Sequence, residues 1–380
     1  MTTTSLILLC DFFASALLGL MVIELLLVVT YKRHLFDKPE ERKVHSVPVP
    51  RLGGVSFLPV LMITLAVTIG MMYHLGLTSY YEQDYYVLIQ LAVLFGSGML
   101  MYIVGVADDL VDVNYRFKLL FQFVASCIVV LSGLWIKDYG GLFGIHEVPG
   151  LIGMPLSVLL IMYIINSINM IDGIDGLASG LGILSLIVLT VIAYAESHFL
   201  HMLIGVTMIG VVFVFWLFNM FGSRERSTKV FMGDSGSLTL GLILSFLIIN
   251  VSDFGDGNQS WSGFYMTVGF STLIIPMLDV PRIILSRLAR HRSPFQPDRN
   301  HIHHLLLRCG LSQHGTLAVL LGVDAVLILL NVFLGLELST TWMFCIDVLL
   351  WYAFTAAVSL IVRRREKASL STQPTETPDR

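Results

Sequence analysis

Two adjacent carboxyl groups, Asp108 and Asp109, stand in the segment VGVADDLVDVNYRFK at the end of a long apolar stretch. Asp112 follows at helical spacing, and Lys118 lies shortly after it. Neighbouring carboxylates with a third one turn later form a negative patch that suits a hard divalent cation such as Mg²⁺. A solvated helix end is the alternative. We interpret the cluster as a candidate metal site, because acids beside a membrane segment carry a high energetic cost.

A second segment, NSINMIDGIDGLASG, combines amide and carboxyl side chains. Asn166, Asn169 and Asp172 recur every third residue, which places them along one helix face. Asp175 extends the series if the helix continues past Gly173. Amide and carboxylate oxygens suit Mg²⁺ or the phosphates that it binds. DGIDG is similar to part of a calcium loop, but the third acid and the distal Glu are absent. Helix packing is the alternative for the Asn residues, and it leaves the two acids unexplained.

The segment FMGDSGS, residues 231–237, combines a turn rich in Gly with one acid. GDSG also occurs at the nucleophile of serine proteases, so Ser235 has to be considered as a nucleophile. We reject that interpretation, because the segment opens an apolar helix and nothing indicates the His and Asp partners of a secreted β fold. At the start of a helix, backbone N–H groups and the positive end of the dipole can face a phosphate. Asp234 would then hold a metal ion.

The fourth segment, residues 282–314, is dense in Arg and contains His301, His303 and His304. HIHH without a Cys pair is a poor structural zinc site. Arg and His beside carboxylates suit an anionic substrate, since a guanidinium group binds phosphate oxygens as a fork. The usual enrichment of basic residues on one side of a membrane is the alternative, which explains the Arg residues but not the His residues.

These segments lie in a chain of 380 residues that is 56% hydrophobic and 13% charged, with a mean hydropathy of +0.81 and a formal net charge of -4. Soluble domains carry about 25% charged residues. The composition therefore excludes a soluble enzyme, a disordered chain and a nucleic-acid binder with a basic face. About eleven apolar segments reach the length of a membrane-spanning helix and predict an all-α polytopic membrane protein. The predicted spans are residues 5–31, 53–73, 86–107, 118–136, 151–168, 177–195, 198–218, 237–251, 261–281, 315–335 and 340–362.

Basic residues orient the helices, because Lys and Arg favour cytoplasmic loops. With the N-terminus outside and the C-terminus in the cytoplasm, every Lys and Arg except Lys137 lies on the cytoplasmic side. All four polar segments then lie on that face, where their charges favour phosphoryl transfer. Paired Gly residues between short apolar runs in residues 137–150 predict a small outer hairpin. We expect a single membrane domain over residues 1–365 and a disordered polar tail over 366–380.

An ion-coupled transporter is the competing class, since Glu24, Asp324 and Asp347 lie within predicted spans and such acids can couple ions. Transporters place their site near the membrane midplane and often consist of two related halves. Here the acids of the motifs collect at one face and no repeat is visible. The sequence therefore favours an enzyme.

The segments DDLVD, NSINMIDGIDGLASG, FMGDSGS and HIHHLLLR, in this order, closely resemble the motifs of the polyprenyl-phosphate N-acetylhexosamine-1-phosphate transferase family. The resemblance covers nearly the whole chain. It implies that a polyprenyl phosphate attacks the β-phosphate of a UDP-sugar, which yields a polyprenyl-diphosphate sugar and UMP. It also implies a requirement for Mg²⁺, or for Mn²⁺ in its place.

The resemblance further implies roles by motif position. Asp234 would be the principal metal ligand, and Asp109 and Asp172 would contribute to the metal site. Residues that hold the uridine in relatives match Asn219 and Phe231, and the His residues would contact the diphosphate or the sugar. The candidate catalytic residues are Asp108, Asp109, Asp175, His301, His303 and His304, and the candidate substrate-binding residues are Lys118, Asn166, Asn169, Asp172, Asn219, Phe231, Arg299 and Arg308.

The fourth motif indicates the donor. HIHH followed by LLLR and preceded by PDR is similar to the enzymes that use N-acetylglucosamine, whereas muramoyl-pentapeptide enzymes carry three consecutive His and an acid. We expect UDP-N-acetylglucosamine as donor, undecaprenyl phosphate as acceptor and the bacterial inner membrane as location. Another UDP-N-acetylhexosamine, such as the C4 epimer, and UDP-N-acetylmuramoyl-pentapeptide stay open as donors, and so does pairing into homodimers.

The acceptor itself favours direct in-line attack, because a phosphate monoester has a second pKa of about 6 and is mostly dianionic at neutral pH. A covalent intermediate on Asp108 is the alternative. The lipid chain requires an apolar groove from Asp108 and Lys118 into the bilayer. We predict this groove beside the ninth span, where Pro276 and Pro281 would kink the helix.

Overall fold

The computed structural model describes residues 2–33, 49, 51–77, 85–223, 225–254, 259–291 and 300–371. These residues form a bundle of helices with one small β-hairpin. In chain order the elements are α1 (Thr3–Arg33), a 3₁₀ turn (Gly53–Ser56), α2 (Phe57–His74), α3 (Tyr85–Val111), α4 (Tyr115–Leu131), β1 (Asp138–Leu142), β2 (Ile145–Glu147), α5 (Gly150–Ile171), α6 (Leu177–Ala195), α7 (Phe199–Phe221), α8 (Gly233–Ser252), α9 (Gln259–Ser271), α10 (Ile274–Leu288), α11 (Ile302–Arg308), α12 (Gln313–Leu334) and α13 (Thr340–Ser371).

Nine helices of the described residues are long and apolar enough to cross a membrane, and the bent pair α9–α10 adds a tenth if it forms one span. The prediction of an all-α polytopic membrane protein is therefore confirmed. The predicted count of about eleven spans is higher, because it includes residues 118–136 as a full-length span. The helix in that region, α4, has 17 residues and ends at Leu131. The side of the membrane that each helix end faces stays a prediction.

Helix α8 runs through the centre of the bundle, where every residue from Ser235 to Ser252 is buried. Small residues allow its neighbours to approach closely. A Cβ atom at Gly54 would lie 2.1 Å from Gly236 Cα, and a Cβ atom at Gly105 would lie 2.4 Å from Ser235 Cα. The many small residues of α8 thus serve helix packing, and they bring the end of α3 against the start of α8.

The ninth predicted span is broken between α9 and α10, whose axes differ by 68°. Pro276 lies in the first turn of α10, where its missing N–H removes no helical hydrogen bond. In a continuous helix its ring would clash with the preceding turn, so α9 ends at Ser271. The predicted distortion is confirmed as a break before Pro276, whereas Pro281 lies inside α10 without ending it.

Strands β1 and β2 pair antiparallel and confirm the predicted hairpin. Gly140, Gly141 and Gly144 adopt φ values of 59°, 79° and 77°, in the left-handed region that favours glycine. Thr340 Oγ1 donates to Gly140 O at 2.6 Å, which ties the hairpin to the start of α13. The side of the membrane on which the hairpin lies stays a prediction.

Helix α13 continues to Ser371 and therefore includes the first residues of the predicted tail. Within this extension Glu366 accepts a hydrogen bond from Arg308 Nη2 at 2.5 Å, which ties α13 to α11. Residues 372–380 lie outside the described part of the chain, and the division into one domain and a tail stays a prediction.

Candidate active site

A lysine ammonium group joins two of the predicted carboxylates. Lys118 Nζ donates to Asp108 Oδ2 at 3.0 Å and to Asp234 Oδ2 at 2.7 Å. All three side chains are partly buried, so their charges attract more strongly than they would at an open surface. The structure thus brings together the end of α3, the start of α4 and the start of α8.

The turn between α3 and α4 places Lys118 in this position. Asp112 adopts a φ of 53° at the end of α3, and Val113 N donates to Asp108 Oδ1 at 2.8 Å. Asn114 then caps α4, because its side chain accepts a hydrogen bond from the backbone of the first turn at 3.0 Å. Lys118 consequently lies in the first turn of α4, against the last turn of α3. Asp112 itself is exposed.

Asp109 points to the start of α8 and binds the backbone there. Asp234 N donates to its Oδ1 at 2.7 Å, and Ser235 N donates to its Oδ2 at 3.0 Å. The free N–H groups and the dipole of a helix N-terminus stabilise a carboxylate. Gly233 has a φ of 69°, and a Cβ atom there would lie 2.6 Å from both Asp109 oxygens. We expected these N–H groups to face a phosphate, but they face Asp109 instead. The role of Asp109 as a metal ligand stays a prediction.

The two Asn residues of the second motif have different partners. Asn169 Nδ2 donates to Asp234 Oδ1 at 3.1 Å and to Ser237 Oγ at 2.8 Å, so it belongs to the carboxylate cluster. Asn166 Nδ2 donates to Gln122 Oε1 at 2.7 Å and thereby joins α5 to α4. This placement favours the packing alternative for Asn166.

Helix α5 ends at Ile171, so the predicted helical series does not extend to Asp175. Asp172 follows the helix, Gly176 adopts a φ of 78°, and α6 begins directly afterwards. Lys229 Nζ binds Asp175 Oδ2 at 2.7 Å. This ion pair joins the loop after α5 to the segment that precedes FMGDSGS.

Asp172 lies in a strongly negative environment. Burial raises the pKa of its carboxyl group to about 7, and the charges of Asp234, Asp175 and Asp109 contribute to the shift. Burial and the neighbouring carboxylates thus both disfavour the ionised form of Asp172. A cation bound nearby would favour the ionised carboxylate.

Asn219 uses both ends of its amide to connect backbone segments. Its Oδ1 accepts from Gly176 N at 2.6 Å, and its Nδ2 donates to Val230 O at 2.8 Å. Phe231 is partly exposed, and its carbonyl oxygen accepts from Gly53 N at 3.0 Å. The structure places both residues at the edge of the carboxylate cluster, and their contact with uridine stays a prediction.

His303 lies against the loop after α5, since a Cβ atom at Gly173 would lie 2.2 Å from His303 Nε2. Neither ring nitrogen has a hydrogen-bond partner among the described residues. Burial lowers the pKa of His303 to about 3, and electrostatic repulsion from the imidazoles of His304 and His301 contributes. The ring is therefore neutral at physiological pH and lies beside the residue that follows Asp172.

The other two His residues continue this group of rings. The ring centroids of His301 and His303 lie 5.6 Å apart with planes 8° from parallel, and those of His303 and His304 lie 4.2 Å apart. His301 Nδ1 lies 2.9 Å from Asp279 Oδ2. The start of α11 is thus bound on one side to α10 and on the other to the loop after α5.

Of the two predicted Arg residues, Arg308 does not join the carboxylate cluster. Arg308 is exposed and binds Glu366 of α13, and its Nη1 donates to Asn300 Oδ1 at 3.4 Å. Arg299 lies outside the described residues. Substrate contacts of both stay predictions.

Lys229 and Asp279 were not predicted as site residues. Lys229 is 8% exposed, which is unusual for a lysine and requires its ion pair with Asp175. Asp279 is an acid within an apolar predicted span, and that signal could have identified it. Lys229 has no such signal, because a basic residue in a predicted cytoplasmic loop is ordinary.

In the described part of the chain, no three His, Cys, Asp or Glu side chains lie close enough together to hold a metal ion. The Lys118 ammonium nevertheless shows that Asp108 and Asp234 face one cation. Carboxylate and amide oxygens, here including Asn169, are the ligands that Mg²⁺ prefers. Asp108, Asp234 and Asn169 therefore offer ligand types that suit Mg²⁺, and their binding of the ion stays a prediction.

Comparison with known proteins relates this arrangement to one group of enzymes. A family model described as glycosyl transferase family 4 matches residues 91–252, which contain the first three motifs. An undecaprenyl-phosphate alpha-N-acetylglucosaminyl 1-phosphate transferase of Salmonella typhi is 30% identical over 301 residues, which cover 79% of this chain and 76% of that protein.

Two further relatives carry the same name. The protein of Yersinia pestis is 29% identical over 306 residues, which cover 80% of this chain and 78% of the relative. The protein of Escherichia coli (strain K12) is 29% identical over 286 residues, which cover 75% and 72% of the two chains. The similarity thus extends over most of the length of this chain and of each relative.

Proposed function

Because this chain belongs to the polyprenyl-phosphate N-acetylhexosamine-1-phosphate transferase family of membrane phosphotransferases, we propose that it transfers N-acetylglucosamine-1-phosphate from UDP-N-acetylglucosamine to undecaprenyl phosphate. The products are undecaprenyl-diphosphate N-acetylglucosamine and UMP. The structural observation that supports the proposal best is Lys118, bound between Asp108 and Asp234 at the ends of membrane helices. Phosphoryl transfer depends on positioning and on neutralising charge, for which this group supplies both signs.

The acceptor phosphate is the nucleophile. Its oxygen forms a bond to the β-phosphorus of the donor, the bond from that phosphorus to the bridging oxygen breaks, and UMP leaves with the electron pair. Lys118 is the cation that would bind the acceptor phosphate, since its ammonium already bridges two anionic groups. Asp108 would position the acceptor or accept a residual proton.

Asp234 and Asp108 are the residues that would hold Mg²⁺, or Mn²⁺ in its place, with Asn169 and Asp172 adjacent. When bound, the ion would neutralise the donor diphosphate and polarise its phosphoryl oxygens. Asn169 orients Asp234 through a hydrogen bond of 3.1 Å.

The donor nucleotide is proposed to bind at the loop after α5. This loop carries Asp175 and contacts Lys229, Asn219 and His303. Carboxylates, an ammonium group and neutral imidazole together offer acceptors and donors for a uridine and a diphosphate. Phe231 at the edge of the cluster offers an aromatic ring for the base.

The lipid chain is proposed to use an apolar cavity of about 260 Å³ beside the break between α9 and α10. Its walls include Leu160, Phe270, Ile274, Met277 and Phe344. The cavity supports the predicted groove beside the ninth span. Asp108 and Lys118 do not line it, so a continuous path to them stays a prediction. The bacterial inner membrane and a homodimeric state also stay predictions.

The test is UMP release by the purified full-length protein in detergent with UDP-N-acetylglucosamine, Mg²⁺ and undecaprenyl phosphate. We expect UMP only when all three are present, with far lower rates for UDP-N-acetylgalactosamine and UDP-N-acetylmuramoyl-pentapeptide. A faster reaction with either alternative donor would replace the proposed donor. Absence of UMP with every donor would contradict the proposed function.

A second experiment separates direct attack from a covalent intermediate. Donor and Mg²⁺ are mixed with enzyme in a rapid-quench instrument before the acceptor is added. Direct attack predicts no UMP at that stage. One equivalent of UMP per enzyme would show an intermediate, with Asp108 as its first candidate.

A further inference from the structure

We propose that Asp279 is a positioning residue for His301: its carboxylate keeps a proton on Nδ1 and leaves Nε2 as the nitrogen that meets the substrate. The inference rests on the proposed function, because it treats His301 as a residue that contacts the donor diphosphate. Asp279 lies on α10, outside the four motifs, and reaches the fourth motif only through the fold.

Asp279 is a buried carboxylate with hydrogen-bond partners at both of its oxygens. The residue is 1% exposed. Its Oδ2 lies 2.9 Å from His301 Nδ1, and its Oδ1 accepts from Arg282 Nε at 3.0 Å and from Nη2 at 2.7 Å. Ile302 N lies 3.3 Å from both oxygens. A guanidinium group, a backbone N–H and an imidazole thus share one carboxylate, which satisfies a charge that would otherwise be costly to bury.

The break between α9 and α10 brings this carboxylate to α11. Asp279 lies one turn after Pro276, in the segment that departs by 68° from the direction of α9. Arg282, one turn further, donates from Nη2 to Asn300 O at 2.6 Å. The residue before His301 and the residue after it are therefore both bound to the same turn of α10.

This geometry determines which nitrogen of His301 carries chemistry. An ionised carboxylate only accepts hydrogen bonds, so the nitrogen that faces it carries a proton. In the neutral ring Nδ1 therefore carries the proton, and Nε2 offers its lone pair to the substrate.

The surroundings of His301 indicate where Nε2 acts. The side chain of His301 is 10% exposed, whereas that of Asp279 is 1% exposed. Its ring stacks on His303, which lies against Gly173 in the loop that carries Asp172. His301 is thus held at the border of the proposed donor site, and its outer nitrogen is the atom available to a phosphate or sugar oxygen.

A purely mechanical role for Asp279 is the competing explanation, since its bonds to Ile302 N and Arg282 anchor α11 as well. The two roles differ in their dependence on His301. An anchor would matter equally with or without the imidazole, whereas a positioning residue acts only through it. The Asp279→Asn substitution keeps the shape and removes the obligatory acceptor, because an amide can donate as well as accept.

The first measurement is independent of activity. In ¹⁵N-histidine NMR spectra of the full-length protein in detergent, the signal missing from His301→Gln identifies His301. We expect the proton on Nδ1 in the neutral ring of the wild type. Neutral His301 with its proton on Nε2 would overturn the proposal, whatever the Asp279 variant does.

The second measurement is kinetic. We expect Asp279→Asn to lower kcat for UMP release about 10- to 100-fold, with the donor KM changed by less than about threefold. In the His301→Gln background the same substitution should cause no further loss, because the two residues act as a unit. Asp11→Asn is the matched control, since Asp11 is also buried and bound by hydroxyl groups, of Thr68 and Thr207, but lies on α1. We expect it to leave kcat unchanged.

An Asp279→Asn enzyme with wild-type kcat would overturn the proposal. An equal loss in the presence and absence of the His301 imidazole would also overturn it and assign Asp279 as an anchor. If the wild-type protein releases no UMP from any donor, the proposed function fails, and the NMR spectrum still decides the tautomer of His301.

Discussion

Two of the regions of this bundle that contain acidic side chains differ in what those acids bind. Where α3, α4, α5 and α8 meet, Asp108 and Asp234 share one ammonium group, and Asp175 binds another in the adjacent loop. Between α12 and α13, Asp347 accepts from Asn331 Nδ2 at 3.0 and 3.1 Å. Asp324 of α12 is 0% exposed, and its oxygens have no hydrogen-bond partner among the described residues.

The difference shows that acids in membrane helices do not by themselves indicate a reaction site. The first region combines carboxylates with cations and partial exposure, so an incoming anion or metal ion can exchange for a partner that is already present. The second region has buried acids with amide partners or none, which fits helix association. The acids within α12 and α13 therefore add no support for a transporter.

The largest effect is expected from Asp234→Ala, which removes a carboxylate bound by Lys118 and Asn169. We expect UMP release to fall at least about 1,000-fold, because the metal site loses its principal oxygen ligand. Asp324→Asn is the matched control in the other region and should change the rate by less than about twofold. Size-exclusion profiles and thermal midpoints of both variants verify folding. Normal turnover of Asp234→Ala at ordinary Mg²⁺ would refute the ligand assignment, and equal losses in both variants would remove the contrast between the regions.

A smaller effect is expected from Lys118→Gln, which should weaken activity but strengthen the binding of Mg²⁺. Activity should fall about 100-fold, because the acceptor phosphate loses its cation. Mg²⁺ should raise the thermal midpoint at about tenfold lower concentration than in the wild type, because the ammonium no longer competes for Asp108 and Asp234. Lys229→Gln is the control for the Mg²⁺ titration, where it should leave the required concentration unchanged, since Lys229 binds Asp175 instead. An unchanged Mg²⁺ dependence in Lys118→Gln would show that lysine and ion do not share these oxygens.

The smallest effect is expected on stability, from Asp172→Asn in EDTA. The folded-state pKa of about 7 lies above the ordinary value of 3.8, so the folded protein holds this proton more tightly than the unfolded chain. Stability therefore decreases as pH rises from about 4 to 7. At pH 8 the Asn variant should be more stable by about 1–2 kcal/mol after allowance for partial exposure. The difference in thermal midpoint should shrink towards pH 5, and a constant difference would exclude this origin.

Much of the architecture followed from local patterns. Apolar runs of membrane length predicted the helices, and the hairpin followed from paired Gly residues. The predicted span 118–136 was too long, because apolar residues after Leu131 belong to a turn and to the approach to β1. A hydropathy window registers apolar content and cannot detect where backbone hydrogen bonding changes.

The candidate site was predictable in its residue types and less so in its contacts. Asn166 and Asn169 share a helix face and a residue type, yet one binds Gln122 and the other binds Asp234. Helical periodicity predicts which face of a helix a residue lies on. It does not predict which side chain of a neighbouring helix that residue contacts. Asp109 likewise looked equivalent to Asp108, but it binds the backbone of α8 because Gly233 leaves space for its carboxylate.

Local patterns predicted a helical membrane protein and four polar segments whose residue types suit the proposed reaction, since transfer of apolar side chains out of water and the helical repeat are local properties. Which charges meet depends on the tertiary structure. Lys118 and Asp234 are 116 residues apart in the chain, and their pairing accompanies a close approach of α3 to the start of α8, for which Gly105 leaves space. His301 meets Asp279 for a similar reason, the break that Pro276 imposes before α10. Close packing and one broken helix thus convert separate motifs into a single candidate site.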